Sequence, residues 1–157
     1  MQKTLPVMLS PHFSLAEMMV SDSAERLGIN NTPPLEMIPN LERTAELLET
    51  VRAVLGNKAL IISSAYRSRV LNDAIRGSKN SFHIFGLAVD FICPKHGSPL
   101  DICHTILANP AIKFDQLICE YGRWVHLGLS FSNIKPRRDI LTMDSKGTRS
   151  GLHGIRV

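Results

Sequence analysis

Several shifts in the spacing of hydrophobic and polar positions mark the elements of this chain. Leu41, Ala45, Leu48, Val51 and Leu55 recur with helical spacing, Leu47 and Val54 widen the stripe, and Glu42, Arg43, Glu46 and Glu49 fall on the opposite side. This predicts one amphipathic helix over 41–55, with Asn40 as N-cap and Gly56 just past its end. After Gly56-Asn57 comes Ala59-Leu-Ile-Ile-Ser-Ser-Ala-Tyr66, a β-branched run suited to a strand. In Leu87-Ala-Val-Asp-Phe-Ile-Cys93, strand alternation sends Leu87, Val89 and Phe91 to one side and Ala88, Asp90 and Ile92 to the other. Lys113 to Glu120 and Val125 to Phe131 read as a hairpin joined around Gly122.

Register decides what that hairpin presents, because a slip of one residue exchanges its faces. A loop of three or five residues is expected to set Glu120 opposite His126, then Ile118 with Gly128 and Gln116 with Ser130. Leu117, Cys119, Leu127, Leu129 and Phe131 then share an apolar face. A two-residue turn at Gly122-Arg123 would separate Glu120 from His126. The first register sorts polar from apolar more cleanly.

The remaining elements are short. Ser14-Leu-Ala-Glu17 has capping-box spacing and starts a helix at Leu15; a second runs from Asp22 to Leu27 and stops at Gly28. Pro33 and Pro34 make Ile29 to Pro34 a loop. Ser68 caps a helix from Arg69 to Arg76 with Leu71 and Ile75 inward, and Gly77 to Asn80 is a loop. Ser98 caps another helix from Pro99 to Leu107, proline being welcome in a first turn. Beyond Ser132, Pro136, Gly147, Gly151 and Gly154 interrupt every pattern. The expected organisation is one domain over 1–131 and a basic, irregular tail over 132–157.

At 157 residues the chain fits a single domain with a real core. No run approaches the roughly 18 to 20 apolar residues of a membrane span, so stable membrane insertion is not expected. The start, Met1 to Pro11, is interrupted by Pro6 and has no small-residue cleavage site, so no signal peptide is read. Cys93, Cys103 and Cys119 are an odd set in apolar surroundings, which suits buried thiols better than disulfides. A structural zinc on Cys93, His96, Cys103 and His104 is conceivable, although those spacings match no usual knuckle or ribbon.

The net charge of +4 is concentrated late, in Lys135, Arg137, Arg138, Lys146, Arg149 and Arg156 against Asp139 and Asp144. It reads as a solvated tail or as attraction to an anionic polymer or membrane surface. No aromatics interleave as a nucleic-acid surface requires, so nucleic acid is not an expected partner.

Candidate chemistry centres on Ser81 to Asp90, where His83 and Asp90 stand seven residues apart across Gly86. An imidazole and a carboxylate are two of the three protein ligands a catalytic zinc takes, and His126 is the candidate third. A histidine and an aspartate so spaced are ordinarily a satisfied structural pair, so the weight falls on His126 and Glu120. One zinc per chain would activate a bound water, with Glu120 moving the proton and Asp115 in reserve. Arg67, at a strand end, could pair with a terminal carboxylate through its planar fork, and Ser81 could add a hydrogen bond. Together they suit a peptide that ends close to the cleaved bond.

These residues resemble the peptidase M15 family of zinc D-alanyl-D-alanine carboxypeptidases, dipeptidases and phage cell-wall endolysins. Its Ser-x-His-x-x-Gly-x-Ala-x-Asp signature is met by Ser81, His83, Gly86, Ala88 and Asp90. Trp124-Val-His126 resembles the second histidine segment, and Ser64-Ala-Tyr-Arg67-Ser resembles Ser-Gly-Tyr-Arg-Ser with Ala65 for glycine. His12-Phe-Ser-Leu-Ala-Glu17, Asn31-Thr-Pro-Pro34 and Leu71-Asn72 resemble a small single-domain branch, so the likeness spans about His12 to Phe131. The resemblance implies His83, Asp90 and His126 as zinc ligands, Arg67 and Ser81 as substrate-binding residues, and Glu120 as general base. Better-known members carry the acid three residues before the second histidine, where this chain has Arg123; Glu120 is six before.

The implied fold is α+β, a small antiparallel sheet with helices packed mainly on one face and the zinc site at the sheet. The implied activity is hydrolysis of peptidoglycan stem or cross-link peptides by a monomer. Without a signal peptide, a phage lysis enzyme held in the host cytoplasm until release to the cell wall fits, as does a bacterial wall enzyme exported by other means. The competing readings are a non-catalytic module that binds cell-wall peptides and a virion-associated structural protein.

Overall fold

A computed structural model describes residues 6–157. The first residues of the stretch read for a signal peptide, 1–5, lie outside the described residues. Helix α1 (Leu15–Met18) begins at the predicted capping box, with Glu17 N–H donating to Ser14 Oγ and Ser14 N–H to the Glu17 carboxylate. Helix α2 (Asp22–Leu27) ends at left-handed Gly28.

The long helix α3 (Ile38–Val54) starts three residues before the expected position. Pro39 falls in its first turn, where the missing N–H leaves no bond unmade. Asn40 is therefore not the N-cap but a first-turn residue, and its Nδ2 donates to Phe85 O at 2.9 Å. Leu41, Ala45, Leu48 and Val51 are fully buried along the predicted stripe.

The sheet has six strands in the order β1-β2-β4-β3-β5-β6: β1 (Ile61–Ser64), β2 (Ala88–Ile92), β3 (Gln116–Glu120), β4 (Trp124–Gly128), β5 (Asp139–Asp144) and β6 (Gly147–Ser150). All neighbours are antiparallel except β3 and β5. Val89, Phe91, Leu117, Cys119, Val125 and Leu127 point to one face and build the core with α3 and with helix α5 (Pro99–Ala108). The α+β class holds, with the helices over that face.

Strand β1 is half the expected run. A register shift between Ile62 and Ser64 takes the chain out of the ladder. The released backbone is claimed elsewhere: Tyr66 N–H donates to Met18 O and Arg67 N–H to His83 O. Helix α4 (Arg69–Ala74) is capped by Ser68 as predicted and buries Leu71, but Ile75 lies beyond its end and is exposed. Asn72 is buried in the place expected for Ile75.

The hairpin turns in three residues, Tyr121, Gly122 and Arg123, the first two with left-handed φ of 54° and 64°. Its odd length keeps the predicted faces as far as Gly128, where β4 ends, so Phe131, expected on the apolar face, is instead exposed beside Phe82 and Phe85; the pairing is also two residues tighter. Glu120 opposes Trp124, Ile118 opposes His126 and Gln116 opposes Gly128. Glu120 and His126 are thus diagonal neighbours on one face rather than direct partners.

The segment expected to be irregular after Ser132 instead adds β5 and β6 to the sheet. Two inward positions of β5 are Thr142 and Asp144, both buried, so no apolar alternation announces the strand. Thr142 Oγ1 donates to Gly151 O, and Asp144 accepts from Arg149, Arg156 and the Lys146 N–H. Much of the tail's positive charge is consumed structurally: Arg137 pairs with Asp115, and Arg138 sits 4.7 Å over the Phe114 ring. All three cysteines are free and buried, as expected. Among the described residues, Cys93, His96, Cys103 and His104 form no group able to hold a metal. No described helix is long and apolar enough to cross a membrane.

Candidate metal centre

The sheet face opposite the helices carries the polar positions of three strands: Asp90 on β2, Gln116 and Glu120 on β3, His126 on β4. Asp90 and His126 are paired residues of adjacent strands, which brings carboxylate and imidazole together without any loop. His83 comes from the 3-10 turn Phe82–Phe85, which runs into β2 through Gly86. That glycine has φ +67°, and a Cβ there would lie 3.0 Å from two atoms of the Leu41 side chain. The turn therefore sits hard against α3, held by Asn40 Nδ2 to Phe85 O and by Thr44 Oγ1 to Gly86 O at 2.7 Å.

His83, Asp90 and His126 converge, with one potential ligand atom from each lying within 4.8 Å of the others. His83 is 3% exposed, and its Nδ1 donates to Ala65 O at 2.7 Å. This bond fixes the tautomer and leaves the Nε2 lone pair facing Asp90 Oδ2, 3.3 Å away. His126 Nδ1 donates to Asp90 Oδ1 at 2.8 Å. The donor set of one carboxylate and two imidazoles, one with its second nitrogen already anchored to a backbone carbonyl, fits a divalent metal that accepts nitrogen and oxygen.

Electrostatics separate the two histidines. Burial pushes the His83 imidazolium down, only partly opposed by Asp90, which favours the neutral ligand form. Burial acts the same way on His126, but the hydrogen bond and charge of Asp90, aided by Glu120, outweigh it and raise its value. Burial would raise Asp90; the neighbouring His83 and His126 rings, the latter through its Nδ1 hydrogen bond, instead hold it well below the usual carboxylate range. Glu120 is shifted upward, chiefly by burial and against the attraction of His126.

Around this group is a cleft of about 420 Å³. Arg67, Ser81 and Phe82 line one part of it and Asp115, Gln116 and Arg137 another, with Glu120 also in the wall. Glu120 Oε1 lies 3.9 Å from His126 Nδ1, and its Oε2 accepts from Trp124 Nε1 at 3.0 Å. Arg67 is steadied by Asn72, whose Oδ1 accepts from Nη1 at 3.2 Å while its amide donates to Ser78 O. All six residues singled out from the sequence, Arg67, Ser81, His83, Asp90, Glu120 and His126, thus border one cleft. Asp115 borders it too, but its carboxylate is occupied by Arg137 through Nε at 3.0 Å and Nη2 at 2.7 Å. Asn72, Trp124 and Arg137 were given no role from the sequence. Leu71-Asn72 entered only as part of the family likeness, and Arg137 lay in the stretch expected to be irregular.

No curated protein matches the chain significantly in sequence. The family profile described as Peptidase M15 matches residues 11–128, from before α1 to the end of β4, and so takes in all six of those cleft residues. The chain belongs to the peptidase M15 family.

Proposed function

We propose that the protein is a zinc-dependent peptidase that hydrolyses peptidoglycan stem or cross-link peptides. One observation carries this reading: His83 Nε2, the Asp90 carboxylate, His126 Nδ1 and the Glu120 carboxylate meet in one cleft on one sheet face. His83, Asp90 and His126 would hold the metal, for which the proton between His126 and Asp90 would have to leave. Bound zinc would supply an activated water and a Lewis acid toward the substrate carbonyl. Glu120, with its raised carboxyl, accepts a proton and returns it to the leaving amine.

Arg67 is partly buried, and desolvation lowers its guanidinium against the pull of Asp90 and Glu120; a substrate carboxylate in the cleft would form a direct ion pair with it. Ser81 adds a hydrogen bond beside it. This arrangement favours a peptide whose carboxyl terminus lies near the cleaved bond. A phage lysis enzyme that reaches the wall through a membrane lesion is the setting we propose.

Muropeptides incubated with the zinc-loaded protein should release fragments identifiable by mass, and chelator should stop the release. Glu120→Gln should keep the metal and lose turnover. If the wild type binds wall peptides and never cuts them, it is a binding module; if Glu120→Gln cuts at the wild-type rate, the base is another group.

A further inference from the structure

We infer that Trp124 is a positioning residue for Glu120, and that the hairpin turn and the C-terminal segment together hold it in place. This rests on Glu120 being the general base of the proposed peptidase. The β3–β4 ladder sets the Glu120 backbone beside that of His126 but leaves the direction of the carboxylate to the side chain. Trp124 supplies the link. It stands directly opposite Glu120 in the ladder and two residues before His126, and so projects from the same sheet face as both.

The indole N–H is a donor only, so its 3.0 Å bond to Oε2 selects one orientation of the carboxylate. Oε1 is then left toward His126 Nδ1, 3.9 Å away, which is the side where a proton must be taken. The indole is itself braced. The Tyr121 ring lies 5.7 Å from it, and Trp124 shares a surface depression with Tyr121, Arg123, Ser145 and Ile155. Ile155 also packs so closely on Gly122 that a Cβ there would meet it at 3.0 Å. Residues beyond the family match, 129–157, therefore support the turn that aims the acid.

Trp124 is the only tryptophan in the chain, so one atom can be changed without touching any other site. Biosynthetic replacement by benzothienylalanine keeps the ring and removes the N–H; Trp124→Phe serves as the genetic counterpart. With muropeptide substrate, both should lower kcat about 10- to 100-fold, as expected for a lost charge-assisted hydrogen bond, with KM within about twofold. Zinc content and thermal midpoint of the benzothienyl protein should match the wild type. An unchanged kcat overturns the inference, as does a loss of rate accompanied by equal loss of bound zinc or of folded protein, which would mark the residue as merely structural. If the wild type itself shows no hydrolysis, or Glu120→Gln is fully active, it is the peptidase reading or its base that has failed, and the positioning role falls with it.

Discussion

Gly86→Ala is the substitution that most directly tests how His83 and Asp90, two of the candidate metal ligands, are held. Gly86 lies between His83 and Asp90 with φ +67°, a left-handed conformation that costs a residue with a Cβ about 1–2 kcal/mol. The added methyl would also meet Leu41 Cδ2 and Cγ at 3.0 Å. Leu41 is fully buried on α3 and cannot swing into solvent, so overpacking adds about 1–3 kcal/mol. The sum, about 2–5 kcal/mol, is a large share of the about 5–15 kcal/mol that a domain has in total. Urea unfolding of the metal-free protein measures it. Leu41→Ala separates the two contributions, because it removes the contact and leaves the backbone strain: in that background Gly86→Ala should cost only about 1–2 kcal/mol. Equal costs in both backgrounds would refute the steric half of the reasoning, and a cost below about 0.5 kcal/mol in the wild type would refute all of it.

Three further outcomes are expected. Thr44→Val leaves the Gly86 carbonyl without its buried donor and should lower stability by about 1–3 kcal/mol in urea titration. Deleting residues 132–157 strips β3 of its parallel partner and Asp115 of Arg137, so the shortened chain should aggregate or unfold at a lower temperature in scanning fluorimetry; an unchanged transition would mean that β5 and β6 add nothing. Burial would raise the Asp115 carboxyl, but the hydrogen bonds from Arg137 outweigh it and hold the folded value below the unfolded value of about 3.9. The pair's stabilisation is therefore present above that pH and is lost as pH falls through the folded value, so the acid limb of a stability profile should flatten in Asp115→Asn.

Elements with strong local signals were legible in the sequence. The capping-box spacing at Ser14 and the Ser98 cap followed by Pro99 marked two helix starts to the residue, and the structure shows reciprocal side-chain bonds at both. Long-range demands moved the rest. Asn40 has the chemistry of an N-cap, yet Pro39 let α3 begin earlier and freed the Asn40 amide to hold Phe85 O. The strand run to Tyr66 was cut short because Met18 O and His83 O took the N–H groups that a longer ladder would have used. Strand β5 was hidden because its buried positions hold Thr142 and Asp144, whose partners, Gly151 O, Arg149 and Arg156, are all brought by the segment that follows it. The candidate site was more legible than the fold around it, since ligand chemistry restricts residue type more tightly than packing does.

Parity explains why an imprecise hairpin register still found the right face. Moving the pairing by two residues keeps every side chain on its side of the sheet, so Glu120 stays with Asp90 and His126 whether it opposes His126 or Trp124. The shift does change which residue touches the acid. Direct opposition would have made Glu120 and His126 cross-strand partners. Opposition to Trp124 instead keeps them 3.9 Å apart and inserts an indole donor on the far carboxylate oxygen. The three-residue turn, its first two residues left-handed, thus sets one Glu120 oxygen within ion-pair reach of His126 while the indole N–H holds the other.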